Sequence, residues 1–393
     1  MAGALDGISV IEVGLLVQGP QAAATLAEWG ADVIKVELPG FGDQSRWLPI
    51  APMDPRPPFF LGCNRGKRSI TIDLHRPEGR ELFLELAERA DVVISNFKPG
   101  TMEAWGLGYD EVSARNPRVI YATGSTFGYE GAAAHREGAD LAAQAMGGLI
   151  ATTGRNGSGP TAVGVTICDH VASCNLVSGI TTALFVRERT GKGQWVRTSL
   201  IGSQVWAQAS EYMGAFLSER HQGPSNQGHP LIPGLYGIFS TSDGWIAIPG
   251  AAGPLRTALF DALGHPEWNE RFASPLYWDE QKAELFPLLN EAFATRTTDE
   301  WCATLTAIGV RNAPVRTYIE NIADPLFWEQ GFLVHAEGTD GPVPVPASPV
   351  TFSDTPATPQ GVAPELGQHT EEILLELGHD WDRIGELRDA GII

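Results

Sequence analysis

The first forty residues alternate between strand-like and helix-like segments, and this alternation restricts the fold more than any other feature of the sequence. The runs ISVIEV at 8–13 and DVIKVE at 32–37 are typical of strands, and the residues between them have helical spacing. A strand, a helix and a second strand within about thirty residues predict a βαβ unit with parallel strands. Further strand-like runs follow at 69–74, 91–97 and 118–128. We therefore expect an α/β fold with an open, mostly parallel sheet.

The turn after the first strand does not have the pattern of a dinucleotide-binding protein. It reads VGLLVQGPQAA, with glycines only at 14 and 19. The motif G-x-G-x-x-G, which lets a backbone approach a pyrophosphate, is absent, so we expect neither NAD nor FAD. Ligands of open parallel sheets bind beyond the carboxyl ends of the strands, and the loops at that edge are therefore of most interest.

Length and charge restrict the class of partner. A chain of 393 residues favours two domains, and a net charge of −20 argues against nucleic acid or an anionic membrane as partner. Four cysteines without metal-ligand spacing predict reduced thiols and no metal site, and no apolar run reaches about eighteen residues. Because a signal peptide is also not evident, we expect a cytoplasmic protein. The predicted parts are the first part of a large domain (1–220), a linker (221–234), a small domain (235–316), a Pro-rich return linker (317–363) and C-terminal helices that return to the large domain (364–393).

Asp169 is the candidate nucleophile. It precedes about twenty residues with the apolar spacing of one helix, which Gly191 ends. A carboxylate at a helix start accepts backbone N–H bonds and lies at the positive end of the helix dipole, so we expect it to be ionised at neutral pH. The alternative is that Asp169 only caps the helix. Asp140, which stands before a helix of small residues, is open to the same alternative.

Two segments supply cations in an otherwise acidic chain. CNRGKRS places Arg65, Lys67 and Arg68 before a predicted strand, and NFKPG at 96–100 places an aromatic residue and Lys98 directly after another. Together they predict a cationic, aromatic site for a phosphorylated nucleotide. The alternative is a solvated sheet edge.

Six segments together resemble the class III CoA-transferase family, which includes formyl-CoA transferase and alpha-methylacyl-CoA racemase. They are GADVIKVELPGFGD (30–43), NRGKRSITIDLHRPEG (64–79), DVVISNFKPG (91–100), RTGKGQWVRTSL (189–200), DGWIAI (243–248) and PELGQHTEEILLELG (364–378). The resemblance covers nearly the whole chain. It implies a Rossmann-like large domain, a smaller α/β domain joined to it by long linkers, and an interlocked dimer of ring-like subunits.

The resemblance also implies roles for individual residues. Asp169 matches the catalytic aspartate of the transferases, and Asp140 is a possible supporting residue. The positions expected around coenzyme A are Val17, Gln18, Lys67, Arg68, Asn96, Phe97 and Lys98. Leu38 and Ala104 stand where formyl-CoA transferase has arginines, so two phosphate contacts of that enzyme are missing, and its glycine-rich lid has no counterpart at 221–234.

The expected activity is transfer of CoA between an acyl-CoA donor and a carboxylic acid through an aspartyl anhydride and an aspartyl-CoA thioester on Asp169. Coenzyme A is then a substrate, no cofactor is tightly bound, and the partner is a second copy of the chain. One alternative is a racemase, which uses a Gly-His-Asp motif. Here that motif is Gly138–Ala139–Asp140, and alanine cannot transfer a proton. A second alternative is a non-catalytic acyl-CoA-binding protein on the same scaffold.

Overall fold

The computed structural model describes residues 3–154, 157, 159–221, 223–224, 228–232, 234–274 and 279–393. The strands are β1 Ser9–Val13, β2 Asp32–Glu37, β3 Arg68–Thr71, β4 Val92–Ser95, β5 Ile120–Ser125, β6 Gln194–Ser199, β7 Tyr236–Ser240, β8 Trp245–Pro249, β9 Ala313–Pro314, β10 Leu333–Ala336 and β11 Val343–Pro346. The helices are α1 Gln18–Glu28, α2 Pro58–Cys63, α3 Pro77–Arg89, α4 Thr101–Ala104, α5 Tyr109–Arg115, α6 Asp140–Met146, α7 Leu149–Thr152, α8 Ile167–Thr190, α9 Leu200–Ala207, α10 Ala209–Ser218, α11 Pro254–Ala262, α12 Trp268–Arg271, α13 Asp279–Phe293, α14 Thr298–Ala307, α15 Tyr318–Ala323, α16 Pro325–Glu329, α17 Thr370–Leu377 and α18 Trp381–Asp389, with one 3-10 turn at Gln44–Trp47. No helix in these ranges is long and apolar enough to cross a lipid bilayer.

The first six strands form one parallel sheet in the order β3-β2-β1-β4-β5-β6. This order confirms the predicted parallel α/β fold, and it reverses direction between β1 and β4. At such a switch point the loops after the two central strands diverge to opposite faces and leave a crevice at the carboxyl edge. The loops at 14–17 and 96–100 therefore border this crevice.

Alternation of side chains along the strands produces two apolar layers. Ile11, Ile70 and Val93 pack on one face with residues of α3, α5, α17 and α18. Val10, Val33 and Ile120 pack on the opposite face with α1 and α8. Since side chains of a strand alternate between faces, Glu12 and Lys35 lie on the same face as Val10 and Val33, in an apolar layer. Both are fully buried.

The chain divides into two compact units. The first contains residues 1–147, 164–207 and 325–393, and the second contains 148–163 and 208–324. The first unit thus ends its second segment at 207, whereas we expected 220, and the 221–234 stretch lies within the second unit. Residues 317–363 differ from the expected extended linker, because they contain α15, α16 and the β10–β11 hairpin.

The second unit has its own core around an antiparallel sheet of β7, β8 and β9. Phe239, Phe293 and Trp301 are almost fully buried. Phe239 stacks on Phe293, and Trp301 meets Phe293 edge to face, both at a centroid distance of 5.3 Å. The predicted hairpin at 237–248 and the helices expected around 253–263, 279–294 and 298–308 are confirmed to within about two residues. The unit is therefore a small α/β fold, as the sequence predicted.

Candidate active site

Asp169 lies in the first turn of α8, but it does not cap that helix. The helix begins at Ile167, two residues earlier than expected, and its N-cap residue Thr166 makes no side-chain capping bond. The free backbone N–H groups are instead bound by Asp140. Its Oδ1 accepts from the N–H of Cys168 at 2.7 Å and from that of Asp169 at 3.3 Å. The expectation that Asp169 satisfies these groups is wrong, because a carboxylate from the start of α6 does so.

Asp140 is held in place by two helices. It is 8% exposed, and the side-chain amide of Gln144, one turn further along α6, donates to its Oδ2 at 2.6 Å. Both carboxylate oxygens are thus bound, one to each helix. Because Oδ1 contacts the backbone of Asp169, a negative charge is fixed beside the candidate nucleophile.

The second carboxylate alters the ionisation of the first. Burial raises the pKa of Asp169 from its usual 3.8 to about 7, and the neighbouring charge of Asp140 adds to this rise. The expectation that Asp169 is fully ionised at neutral pH is therefore wrong. The helix start supplies a favourable dipole, but desolvation outweighs it and the backbone donors are already occupied by Asp140. Near pH 7 the site holds a carboxylate that readily gains and loses a proton.

Gln18 is joined to the first turn of α8 through its backbone, and its side-chain amide is buried. It is the first residue of α1 and is 3% exposed, and its Nε2 has no hydrogen-bond partner among the described residues. The side chain lies against Gly124 of β5, where a Cβ atom would stand 2.2 Å from its Oε1. The hydroxyl of Ser173 lies 2.7 Å from the carbonyl oxygen of Gln18 and 2.8 Å from that of Asp169. One serine therefore links the start of α1 to the first turn of α8.

An apolar pocket of about 310 Å³ opens at the carboxyl ends of β1 to β4. Phe97 and Trp105 meet edge to face at 5.4 Å, and Leu38, where the resemblance implied a missing phosphate contact, lines the wall. The other lining residues are Val13, Gly14, Leu15, Val36, Glu37, Phe41, Gly42, Asp43, Gln44, Ile72, Leu74, His75 and Thr101. A flat aromatic base suits such a pocket in size and polarity.

Lys67 does not reach this pocket. Its ammonium group is fully buried and donates to Glu12 at 3.0 Å, to the carbonyl oxygen of Pro20 at 2.9 Å and to Asn64 at 2.7 Å. Burial lowers its pKa to about 8. All three of its donors are used, so the expected contact between Lys67 and a CoA phosphate has no donor available. Its position indicates a structural role.

Arg68 lies at the opposite edge of the sheet. It begins β3 and is paired there with Asp32, with Glu372 at 3.1 Å and with Glu376 at 2.9 Å. Ligand loops of a parallel sheet lie at the carboxyl edge, so the expected CoA contact of Arg68 is not supported by its place in the fold. The cation does anchor α17 to the sheet.

Asn96, Phe97 and Lys98 of the NFKPG loop, all expected near coenzyme A, have different surroundings in the structure. Phe97 lines the pocket, and Lys98 is a half-exposed cation paired with the exposed Glu137. Such an exposed pair contributes little, so Lys98 is free to exchange partners. The amide of Asn96 is occupied instead by the backbone of Leu15. Val17, the N-cap residue of α1, is buried. Because valine has no polar side-chain atom, only its backbone can form a hydrogen bond with a ligand.

Sequence reasoning missed three features of this site. They are Gly124, Ser173 and a buried set of charges around Lys35, and each lies close to Gln18 or to the turn before it. A signal for the charges was present, because Glu12 and Lys35 each interrupt an otherwise apolar strand. Charged residues inside buried strands are rare unless they are paired.

Comparison with known proteins gives consistent matches along the whole chain. Residues 5–370 match the model of CoA-transferase family III. Human succinyl-CoA:glutarate CoA-transferase is 30% identical over 99% of this chain and 90% of its own length. The succinyl-CoA:mesaconate CoA-transferase of Haloarcula marismortui is 35% identical over 96% of this chain and 97% of its own. The crystal structure of a CaiB/BaiF family protein from Brucella suis has a TM-score of 0.86 and 35% identity, and it covers 96% of this chain and 100% of its own.

Proposed function

The chain belongs to CoA-transferase family III and is a CoA-transferase, and on that premise we propose that it moves coenzyme A between an acyl-CoA and a carboxylic acid through covalent intermediates on Asp169. The observation that carries the proposal is the pair of carboxylates at the start of α8, in which Asp140 binds the backbone N–H groups of the helix and the side chain of Asp169 has a raised pKa. A carboxylate with a strongly perturbed pKa is typical of a reacting group.

In the first half-reaction the ionised carboxylate of Asp169 attacks the carbonyl carbon of the acyl-CoA thioester. The carbon–sulfur bond breaks, CoA leaves as thiolate, and a mixed anhydride forms. The thiolate then attacks the aspartyl carbonyl carbon of the anhydride. The donor acid leaves as carboxylate, and an aspartyl-CoA thioester remains.

The second half-reaction runs the same two steps with the acceptor. The acceptor carboxylate attacks the aspartyl thioester, which releases CoA thiolate and forms a new anhydride. The thiolate attacks the acceptor carbonyl carbon, which yields the new acyl-CoA and restores the carboxylate of Asp169. Atoms and charge balance in each step, and no proton is gained or lost overall.

Each attack places negative charge on a carbonyl oxygen, and we assign its stabilisation to Gln18. Its buried Nε2 lacks a partner in the described part of the chain, and Ser173 ties its backbone to that of Asp169. A preorganised donor of this kind acts strongly on a developing oxyanion. The adenine ring of CoA then occupies the pocket lined by Phe97 and Trp105, and Lys98 is the cation for a phosphate group.

Succinyl-CoA is the donor that we propose. The two relatives above are named as transferases of succinyl-CoA, with glutarate or mesaconate as acceptor. The acceptor of this chain is accordingly a short dicarboxylic acid.

Mass spectrometry tests the covalent step. The protein is incubated with succinyl-CoA and quenched with hydroxylamine, which converts an activated aspartyl group into a hydroxamate. We expect the modification at Asp169 and its loss in Asp169→Asn, with Asp110→Asn, an exposed aspartate in the first turn of α5, as matched control. CoA binding without any adduct, or full exchange of labelled succinate by a folded Asp169→Asn variant, would contradict the proposal.

We further propose that the working enzyme is a homodimer. Phe185 on α8 and Trp206 on α9 are 57% and 71% exposed, and large apolar side chains at such exposure are suited to a subunit interface. A second copy of the chain is the proposed partner. Light scattering is expected to give the mass of two chains, and a monomer that is fully active would refute this.

A further inference from the structure

The turn between β1 and α1 contains a leucine in a conformation that L-residues avoid. Leu16 has φ 64°, in the left-handed region. A bulky residue there is strained, and it persists only where surrounding contacts fix it. The turn leads directly into Gln18, so its conformation determines where that amide is placed.

Separate side chains bind two neighbouring residues of this turn. The Nζ of Lys35, from β2, donates to the carbonyl oxygen of Gly14 at 3.0 Å. The amide of Asn96, after β4, accepts from the N–H of Leu15 and donates to its carbonyl oxygen, both at 2.8 Å. The backbone before Leu16 is therefore fixed by side chains from β2 and from the loop after β4, the strands on either side of β1.

The strained residue itself is bound by Asp43. The Oδ1 of Asp43 accepts from the N–H of Leu16 at 3.0 Å, and it also accepts from the backbone and hydroxyl of Ser45 at 2.8 Å. The Oδ2 lies 2.9 Å from the Nζ of Lys35. One fully buried carboxylate thus joins the turn to the same lysine that holds Gly14.

These contacts belong to a buried set of charges that is neutral as a whole. Lys35 pairs with Glu12 at 3.0 Å as well as with Asp43, and Glu12 also accepts from Lys67 at 3.0 Å. Two cations and two anions are thus enclosed together. A buried set of this kind resists displacement, because removal of one member leaves its partner unpaired. It gives the turn a rigid base.

We propose that Asp43 is a positioning residue for the transfer reaction. With Lys35 behind it, its carboxylate holds Leu16 in the left-handed conformation and so presents the amide of Gln18 to the acyl group on Asp169. The inference rests on the proposed function, since it concerns the same acyl intermediate. Asp43 also lines the pocket assigned to the adenine ring, so the rates below are compared at saturating acyl-CoA, where a weaker hold on the nucleotide has no effect. Its proposed effect on the acyl group is exerted through the turn.

The test is a rescue by relief of strain. Asp43→Ala is expected to slow the single-turnover modification of Asp169 by about tenfold or more. Without the carboxylate, Leu16 is expected to leave its strained left-handed conformation, and the turn then no longer holds Gln18 in place. Leu16→Gly removes the strain, since glycine adopts positive φ freely. The double variant is therefore expected to recover most of the lost rate, and Leu16→Gly alone to stay within about twofold of the unchanged protein.

The control is Asp91→Ala, which breaks a comparable ion pair with the buried Arg187 at the amino edge of the sheet and is expected to leave the rate unchanged. If Asp43→Ala fails to fold, the milder Asp43→Asn takes its place in the same series. A double variant as slow as the single one, or a single variant that reacts at full rate, would overturn the inference. Absence of any Asp169 adduct in the unchanged protein would instead refute the proposed function.

Discussion

Asp169→Asn should stabilise the folded protein while abolishing transfer, and the gain should depend on pH. In the folded state the pKa of Asp169 is about 7, against an ordinary value of 3.8, because the partly buried carboxylate is desolvated and lies near the charge of Asp140. The unfolded chain therefore loses its proton at lower pH than the folded one. Between about pH 3.8 and 7 the folded state holds more protons, so the free energy of unfolding decreases as pH rises.

The size of the effect follows from the two pKa values. Their difference is 7 minus 3.8, or about 3, and each pKa unit corresponds to about 1.36 kcal/mol, which gives about 4 kcal/mol above pH 7. Below pH 3.8 the contribution vanishes. Asparagine has the shape of the protonated acid and does not ionise, so its advantage over aspartate should grow by roughly 2 kcal/mol between pH 5.5 and pH 8.

Pulse-labelling hydrogen exchange across a urea series measures this quantity on α8 itself. The readout is needed because the chain has two compact units, and a global signal mixes their transitions. Asp110→Asn, an exposed first-turn change on α5, should show no growth in stability with pH. An advantage of Asp169→Asn that is constant from pH 5.5 to 8, or that shrinks, would refute the assignment of a desolvated carboxylate.

Two further predictions concern the rate. In a profile of rate against pH, the rate of transfer should fall on the acid side with a midpoint near pH 7. Asp140→Asn keeps the side-chain oxygen that binds α8 but removes the charge, so it should move that midpoint to lower pH. Gly124→Ala places a Cβ 2.2 Å from the Oε1 of Gln18 and should lower kcat by about a hundredfold, the usual effect of losing one oxyanion donor. Gly164→Ala, at a site with open space, should keep full activity, and equal losses in both variants would contradict the role of Gln18.

The sequence predicted the sheet and the family because both depend on local patterns. Apolar runs of period two and helices of period 3.6 specified the parallel α/β fold, and six motifs in order pointed to the family that the full-length match confirms. The start of α8 was misplaced for a physical reason. Its cap is Asp140, which lies 28 residues before Cys168 in the sequence. A capping residue that comes from another helix gives no signal in the sequence next to the helix that it caps.

The site was predicted only in part, since burial depends on residues distant in sequence. Lys67 was expected to bind phosphate, but it is enclosed by Glu12, 55 residues away. Arg68 has the same chemistry, and its position at the amino edge of the sheet is decided by strand register. The ionisation of Asp169 likewise could not be predicted from its helix, because the raised pKa arises from enclosure and from Asp140.

The raised pKa connects the stability of the fold to the proposed chemistry. When Asp169 is acylated its charge disappears, because an anhydride or thioester is neutral. The free energy that disfavours the buried carboxylate, about 4 kcal/mol from the pKa difference, is then released in the covalent intermediate. A more basic carboxylate is also a better nucleophile, and near pH 7 about half of it remains ionised. In the proposed mechanism, Asp140 both holds α8 in place and makes the acylated state easier to reach. Asp140→Asn, which keeps the shape of the side chain but not its charge, is therefore expected to accumulate less of the aspartyl intermediate.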